Sequence, residues 1–256
     1  QDSDKIVPYI DIHLKGNSIL KSQLIVLDIL AHNDWKRPIY FVSGYHNDAL
    51  GLEDYFQLEG LAYRLVPIKS QNKDWLHYGR INTDILYNNL MNKFAWGNAN
   101  AKGVNLDYNH KRTIIVIRAR LNYARLAKAL VAEGKKDKAV KVLDYIMKEL
   151  PIEKTSYDPY VPDIIDAYFA AGDTTKAVKM TNDLCNFYYG HLDYFLKQAP
   201  YIVQSAEYEI QSAIQYPSKV AASCKEYGKP ELGEEINNKL ENYYARYVKI
   251  INPSQK

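Results

Sequence analysis

The chain has 256 residues, 47% of them hydrophobic and 25% charged, a composition that supports one large core or two modest ones and excludes disorder for the bulk of it. Its 33 basic and 30 acidic residues leave a formal charge of +3 with both signs mixed along the chain, which gives no footprint for nucleic acid or an anionic membrane surface. No apolar run approaches the roughly 18 residues needed to cross a bilayer, and Leu24 to Leu30 is broken by Asp28.

The chain opens Gln1-Asp2-Ser3-Asp4, with neither a starting Met nor the basic and apolar regions of a signal peptide. It therefore reads as a piece of something longer, soluble by itself, with targeting information upstream. Gly16-Asn17-Ser18 offers a break and an N-cap, after which Ile19 to Ala31 carries apolar residues on nearly every side, the pattern of a largely buried helix ended by Asn33-Asp34. Pro38 to Val42, bounded by Ser43-Gly44, predicts a short strand. Leu52 to Leu58 has the composition of a short helix, and Leu61 to Val66 alternates with the period of a strand. Thr83 is positioned to cap a helix from Asp84 to about Phe94. Gly97 to His110 is rich in Asn and Gly without periodicity, and the boundary between domains is placed there.

Beyond Thr113 the pattern changes to helices separated by glycine turns. Tyr123, Leu126, Ala127 and Leu130 share one helical face, a turn follows at Glu133-Gly134-Lys135-Lys136, and Ala139, Leu143 and Ile146 share the face of a second helix closed by Pro151. Ala171-Gly172-Asp173-Thr174-Thr175-Lys176-Ala177 repeats that turn, with glycine five residues before alanine in both, and Ile164, Ile165 and Tyr168 fall where Leu126, Ala127 and Leu130 fell. A degenerate third unit turns at Gly228-Lys229-Pro230, with Gly233 in place of the packing alanine. Small and large residues at helix-crossing points, with a helix-ending proline, are the tetratricopeptide (TPR) pattern. One such hairpin cannot bury its apolar face alone, so neighbours stack.

Residues that would carry chemistry are sparse. His13, His32, His46, His77, His110 and His191 are scattered without a metal-binding spacing, and no nucleophile elbow or phosphate-binding glycine loop occurs. Asp28 and His32 stand four apart on the first helix, where a carboxylate in apolar surroundings needs a partner. Cys185 and Cys224 read as buried free thiols, with a single disulfide as the alternative. Glu53, Asp54 and Glu59 are close in sequence, and glycan hydrolysis by carboxylates such as Asp54 and Glu59 is the weakest of the functional readings. The 23 tyrosines suit both core and binding surface, and Trp35-Lys36-Arg37 could stack and meet an anionic or sugar ligand, although such a triplet is more often an exposed loop packing against its own domain. On the first helix of each hairpin, Lys128, Asp166 and Phe169 are not used in the packing pattern, so they are the expected contacts for a segment lying in the concave groove.

Asp28-Ile29-Leu30-Ala31, Asp34-Trp35-Lys36-Arg37-Pro38-Ile39-Tyr40-Phe41, Gly51-Leu52 and Tyr55 to Pro67 resemble the C-terminal region of a bacterial family of multi-pass membrane proteins. That family is grouped with protein O-mannosyltransferase-like enzymes as glycosyltransferase family 117. Asn82-Thr83-Asp84, Met91-Asn92-Lys93-Phe94 and the helical tail continue the likeness. The resemblance implies a soluble periplasmic part of an inner-membrane protein whose transmembrane half, absent here, carries the glycosyl transfer.

The expected fold is α+β: a mixed α/β domain over 1–100 followed by a TPR-like helical domain over 105–256. The expected function is non-catalytic, without cofactor or metal. It is the binding or positioning of a protein or peptide segment, or a glycan, beside the membrane-embedded part, and a scaffold for an envelope complex is the alternative.

Overall fold

The computed structural model describes residues 2–12, 14, 17–42, 49–70 and 77–252. Gly16, Ser43 and Gly44, which were expected to break or bound elements, and His13 and His46 lie outside the described residues. The architecture is α+β, a small sheet with its flanking helices followed by a helical C-terminal region.

Helix α1 spans Lys21–Asn33 and buries none of its residues, against the expectation of a largely buried helix. Only Val26 and Leu30 lean on the core, while Leu24, Ile25 and Ile29 are exposed. Its entry is not capped by Ser18: the Gln23 side chain takes the backbone N–H of Leu20 at 2.9 Å.

Strand β1 (Tyr40–Val42) starts two residues after Pro38. Leu52–Tyr55 is a single 3₁₀ turn, and the chain then extends as β2 (Phe56–Leu58), which corrects the helix expected over Leu52 to Leu58. The physical reason is length: Phe56, Gln57 and Leu58 are all inside, and three residues are too few for a period of two to stand out from a helical one. β3 (Ala62–Leu65) pairs antiparallel with both β1 and β2, and the short β4 (Arg80–Ile81) adds in parallel to β2, giving the order β1-β3-β2-β4. Phe56, Tyr63 and Tyr78 form an aromatic stack on this sheet, with centroids 5.5 Å apart for Phe56–Tyr63 and 4.5 Å for Tyr63–Tyr78.

Helix α2 (Thr83–Asn88) is capped by Asn82, whose side chain accepts the Ile85 N–H at 3.1 Å, and not by Thr83. Thr83 Oγ1 instead donates to Glu133 at 2.9 Å. A wider π turn, Asn89–Lys93, continues α2. Helix α3 (Tyr108–Val116) begins inside the segment that showed no periodicity, capped by Asp107 on the His110 N–H.

The rest is α-helical: α4 (Ala119–Ala132), α5 (Lys136–Glu149), the single turn α6 (Ile152–Thr155), α7 (Val161–Ala171), α8 (Thr174–Phe195), α9 (Pro200–Ser205), α10 (Glu207–Glu226) and α11 (Pro230–Ile251). Pairs α4–α5, α7–α8 and α10–α11 pack as hairpins, with α4 against α7 and α8 against α10. Their turns pass through Gly134, Gly172 and Gly228 at φ of 76°, 90° and 76°, a left-handed conformation that glycine adopts without steric cost. Five residues beyond each stand Ala139, Ala177 and Gly233. The first two are fully buried, and a Cβ on Gly233 would lie 2.7 Å from the Ala221 carbonyl oxygen. The third crossing is so close that only glycine fits.

Helix α4 joins the two parts. Asn122 donates to Gly60 O at 3.0 Å, Tyr123 OH to Leu90 O at 2.9 Å, and Arg125 to Tyr63 OH at 3.0 Å and Gly79 O at 2.8 Å. On the other side, the fully buried Arg120 donates to Asp158, Thr155 Oγ1 and Leu150 O. One apolar core takes in residues from Ala49 to Tyr247.

Candidate functional site

The crossing of α4, α7 and α10 leaves a cleft of about 490 Å³. Its lining combines the small or apolar Val131, Ala132, Pro162 and Ala170 with the polar Lys128, Asp163, Asp166, Lys219, Ser223 and Glu226.

Lys128 on α4 forms an ion pair with Asp166 Oδ2 on α7, and Ser223 on α10 donates to Asp166 Oδ1 at 2.6 Å. One carboxylate thus takes a partner from each neighbouring helix. Lys128 remains 45% exposed at its side chain and Asp166 only 16%, so the cation can turn toward a ligand while the carboxylate stays fixed. His77 Nε2 lies 3.6 Å from Asp163 Oδ1 at the α7 end.

Lys128 and Asp166, both singled out from the sequence, come together on this wall. Phe169, expected to be spared from packing, is buried, and its ring lies nearly parallel under Tyr227 at 5.7 Å between centroids. Tyr227 is the aromatic that faces the cleft, and burial, aided by Asp166 and Glu226, pushes its hydroxyl up to about 12. Sequence reasoning missed Tyr227 and Ser223 because they come from the end of α10, a contact that no local period encodes.

A second concavity, about 340 Å³, lies among the N-terminal segment, α1 and the sheet. Val7, Ile10, Ile12, Leu30, Ile39 and Leu65 give it an aliphatic lining, with Tyr9 and Trp35 also on its wall. Trp35 and Asp34 both have positive φ, 57° and 47°, which is uncommon for any side chain larger than glycine and costs local strain. Lys36 pairs with Asp34 at 2.9 Å.

Residues 1–85 match the family described as TMEM260-associated domain 2. The matched segment contains α1, the whole sheet and the Trp35 concavity, and ties that part of the chain to a membrane-protein family. The α4–α7–α10 cleft lies beyond it. No curated protein and no solved structure matches the chain.

The remaining sequence candidates fall elsewhere. Asp28 and His32 meet at 3.3 Å on the outside of α1, both largely exposed. Glu59 accepts from Tyr40 OH at 2.9 Å and from Gln57 at 2.6 Å, and Asp54 lies 4.0 Å from Lys69. Cys185 and Cys224 are free and buried, and burial pushes the Cys185 thiol up to about 12. Among the described residues no three His, Cys, Asp or Glu side chains gather to hold a metal ion, and no helix is long and apolar enough to cross a membrane.

Proposed function

We propose that this chain is a non-catalytic binding domain of a glycosyltransferase-like membrane protein, extracytoplasmic and beside the inner membrane, and that its helical part is a TPR-like stack holding a partner segment in the α4–α7–α10 cleft. The observation that carries the reading is the cleft itself, where the Tyr227 ring, the Lys128–Asp166 pair and Lys219 line one concavity together with small and apolar residues. That mixture suits a polypeptide segment, whose backbone and side chains need both apolar contact and hydrogen-bond partners. The equal glycine-to-crossing spacing at Gly134, Gly172 and Gly228 supports the repeat, since stacked hairpins reuse one turn geometry. The sequence resemblance supplies the glycosyltransferase setting, and the family match of residues 1–85 supports the membrane part of it. A tethered weak binder next to a membrane-embedded centre raises the local acceptor concentration to about the millimolar range.

The reading is tested with a photo-crosslinking residue at Glu226 in the full-length membrane protein. A discrete adduct is expected, and Lys128→Glu, which sets two carboxylates side by side, should reduce it by roughly tenfold, about 1.4 kcal/mol. Equal adduct in wild type and Lys128→Glu overturns the cleft as the binding site. Deletion of 1–256 that leaves glycosylation intact but dissolves an envelope complex selects the scaffold alternative.

A further inference from the structure

The cleft is built in rungs. Lys128 of α4, Asp166 of α7 and Ser223 of α10 meet across it. Four residues further along each helix, about one turn, Ala132, Ala170 and Tyr227 also line it. Side-chain contacts fix the direction of the three helices. Arg120 with Asp158 and Lys128 with Asp166 both pair residues 38 apart, so α4 and α7 run the same way. Asp166 with Ser223, 57 apart, and Phe169 stacked on Tyr227 keep nearly one offset between α7 and α10, which are parallel too.

The rung of Ala132, Ala170 and Tyr227 therefore lies where all three helices end: α4 at Ala132, α7 at Ala171 and α10 at Glu226. Each C-terminus carries about half a negative charge. The two alanines leave space beside the Tyr227 ring, whose plane is set by Phe169 beneath it. Glu226 adds a full charge: it is exposed, and its carboxylate has no ion pair or hydrogen bond among the described residues. The lysines of the lining are engaged elsewhere. Lys128 is paired with Asp166, and Lys219, about two turns from Glu226, holds its ammonium over the Tyr216 ring at 6.0 Å. Consistently, Asp166 and Glu226 both help to keep the Tyr227 hydroxyl protonated, with no lysine opposing them.

We propose that the rung of Ala132, Ala170 and Tyr227, with Glu226 beside it, is the seat for one cationic side chain, an arginine or lysine, of the polypeptide held in the cleft. This inference rests on the reading of the cleft as the binding site for a partner segment, and it names what that segment carries. A guanidinium or ammonium gains from the ring, from the carboxylate and from the helix ends together. An apolar or acidic side chain would meet the same charge without compensation.

A photo-crosslinking residue at Lys219 in the full-length membrane protein leaves the seat whole, and mass spectrometry identifies the linked segment. Tyr227 lies about 12 Å further along α10, so an extended partner should carry Arg or Lys within about four residues of the linked position. Replacing that residue by Glu, which leaves this chain untouched, and Glu226→Lys should each lower the adduct about tenfold, and the two together should recover at least threefold of the loss. Tyr227→Phe should hold the adduct within about twofold, and Tyr227→Leu should lower it about threefold. A segment without a basic residue in that reach, or an adduct indifferent to both charge reversals, overturns the seat and leaves the cleft as the binding site. No adduct at all overturns the cleft reading itself, a separate outcome.

Discussion

Replacing Arg120 by Met tests the joint between α4 and the segment leading into α7. The guanidinium side chain has no exposure and its partner Asp158 has 2%. It donates to Asp158, to Thr155 Oγ1 and to Leu150 O at 2.7 Å. Methionine keeps much of the stem but leaves a dry carboxylate without a cation, and the loss is dominated by the charge left behind. Breaking a buried pair from one side costs about 3–5 kcal/mol. At about 2–4 °C per kcal/mol for a chain of this size, the melting temperature should fall by about 6–20 °C. The control is Arg120→Met with Asp158→Asn, which removes the stranded charge and keeps an oxygen for the Tyr160 N–H that Asp158 accepts at 2.9 Å. The double variant should be more stable than the sum of the single losses implies, by about 1–3 kcal/mol. Thermal and urea unfolding followed by circular dichroism measure all four chains. A single-variant loss below about 1 kcal/mol, the worth of an exposed pair, or strict additivity in the double, refutes the reasoning.

Gly233→Ala should destabilise α10–α11 by about 1–3 kcal/mol, because the new Cβ would stand 2.7 Å from Ala221 O. The same change in an open helix stabilises by about 0.5–1 kcal/mol, so the sign of the shift in unfolding midpoint decides the matter. The Cys185 thiol should resist alkylation in the folded chain at pH 8 and react on unfolding. Its unfolded value is near 9.0 and its folded value about 12, raised by burial, so the unfolded chain sheds the proton first. The stability that this proton carries is whole below pH 9 and is lost as pH climbs toward 12, by up to about 1.4 kcal/mol per unit. Cys185→Ala should flatten that slope in alkaline unfolding titrations, and an unchanged slope would assign it to the buried tyrosines instead.

What the sequence made legible is what local spacing encodes. The α4–α5 and α7–α8 hairpins were visible because Gly134 and Gly172 stand at the same distance from Ala139 and Ala177, and β3 because Tyr63 and Leu65 are buried while Arg64 between them is exposed. β2 and β4 were hidden because runs of three and two residues are too short to carry a period. The exposure of α1 was illegible for a different reason: the apolar residues of a segment do not report which neighbours the fold brings against them. The site divides the same way. Lys128 and Asp166 follow from helix geometry, whereas Tyr227 over Phe169 depends on where α10 ends in space.

Two of the buried arginines, Arg120 and Arg125, set how the proposed binding cleft on α4, α7 and α10 stands relative to the sheet. Arg120 and Arg125 differ by about 140° around α4, so the helix is fixed on one side to Asp158 and Leu150 and on the other to Tyr63 and Gly79. Both guanidinium groups are buried and donate to several acceptors, and such multiple hydrogen bonds set orientation as well as energy. Lys128, one turn beyond Arg125, is thereby held at a set distance and angle from the sheet, which is the family-matched part of the chain. A flexible linker would dilute a bound segment over a large volume. A keyed joint confines it to one direction, and tethering gains most when span and site match.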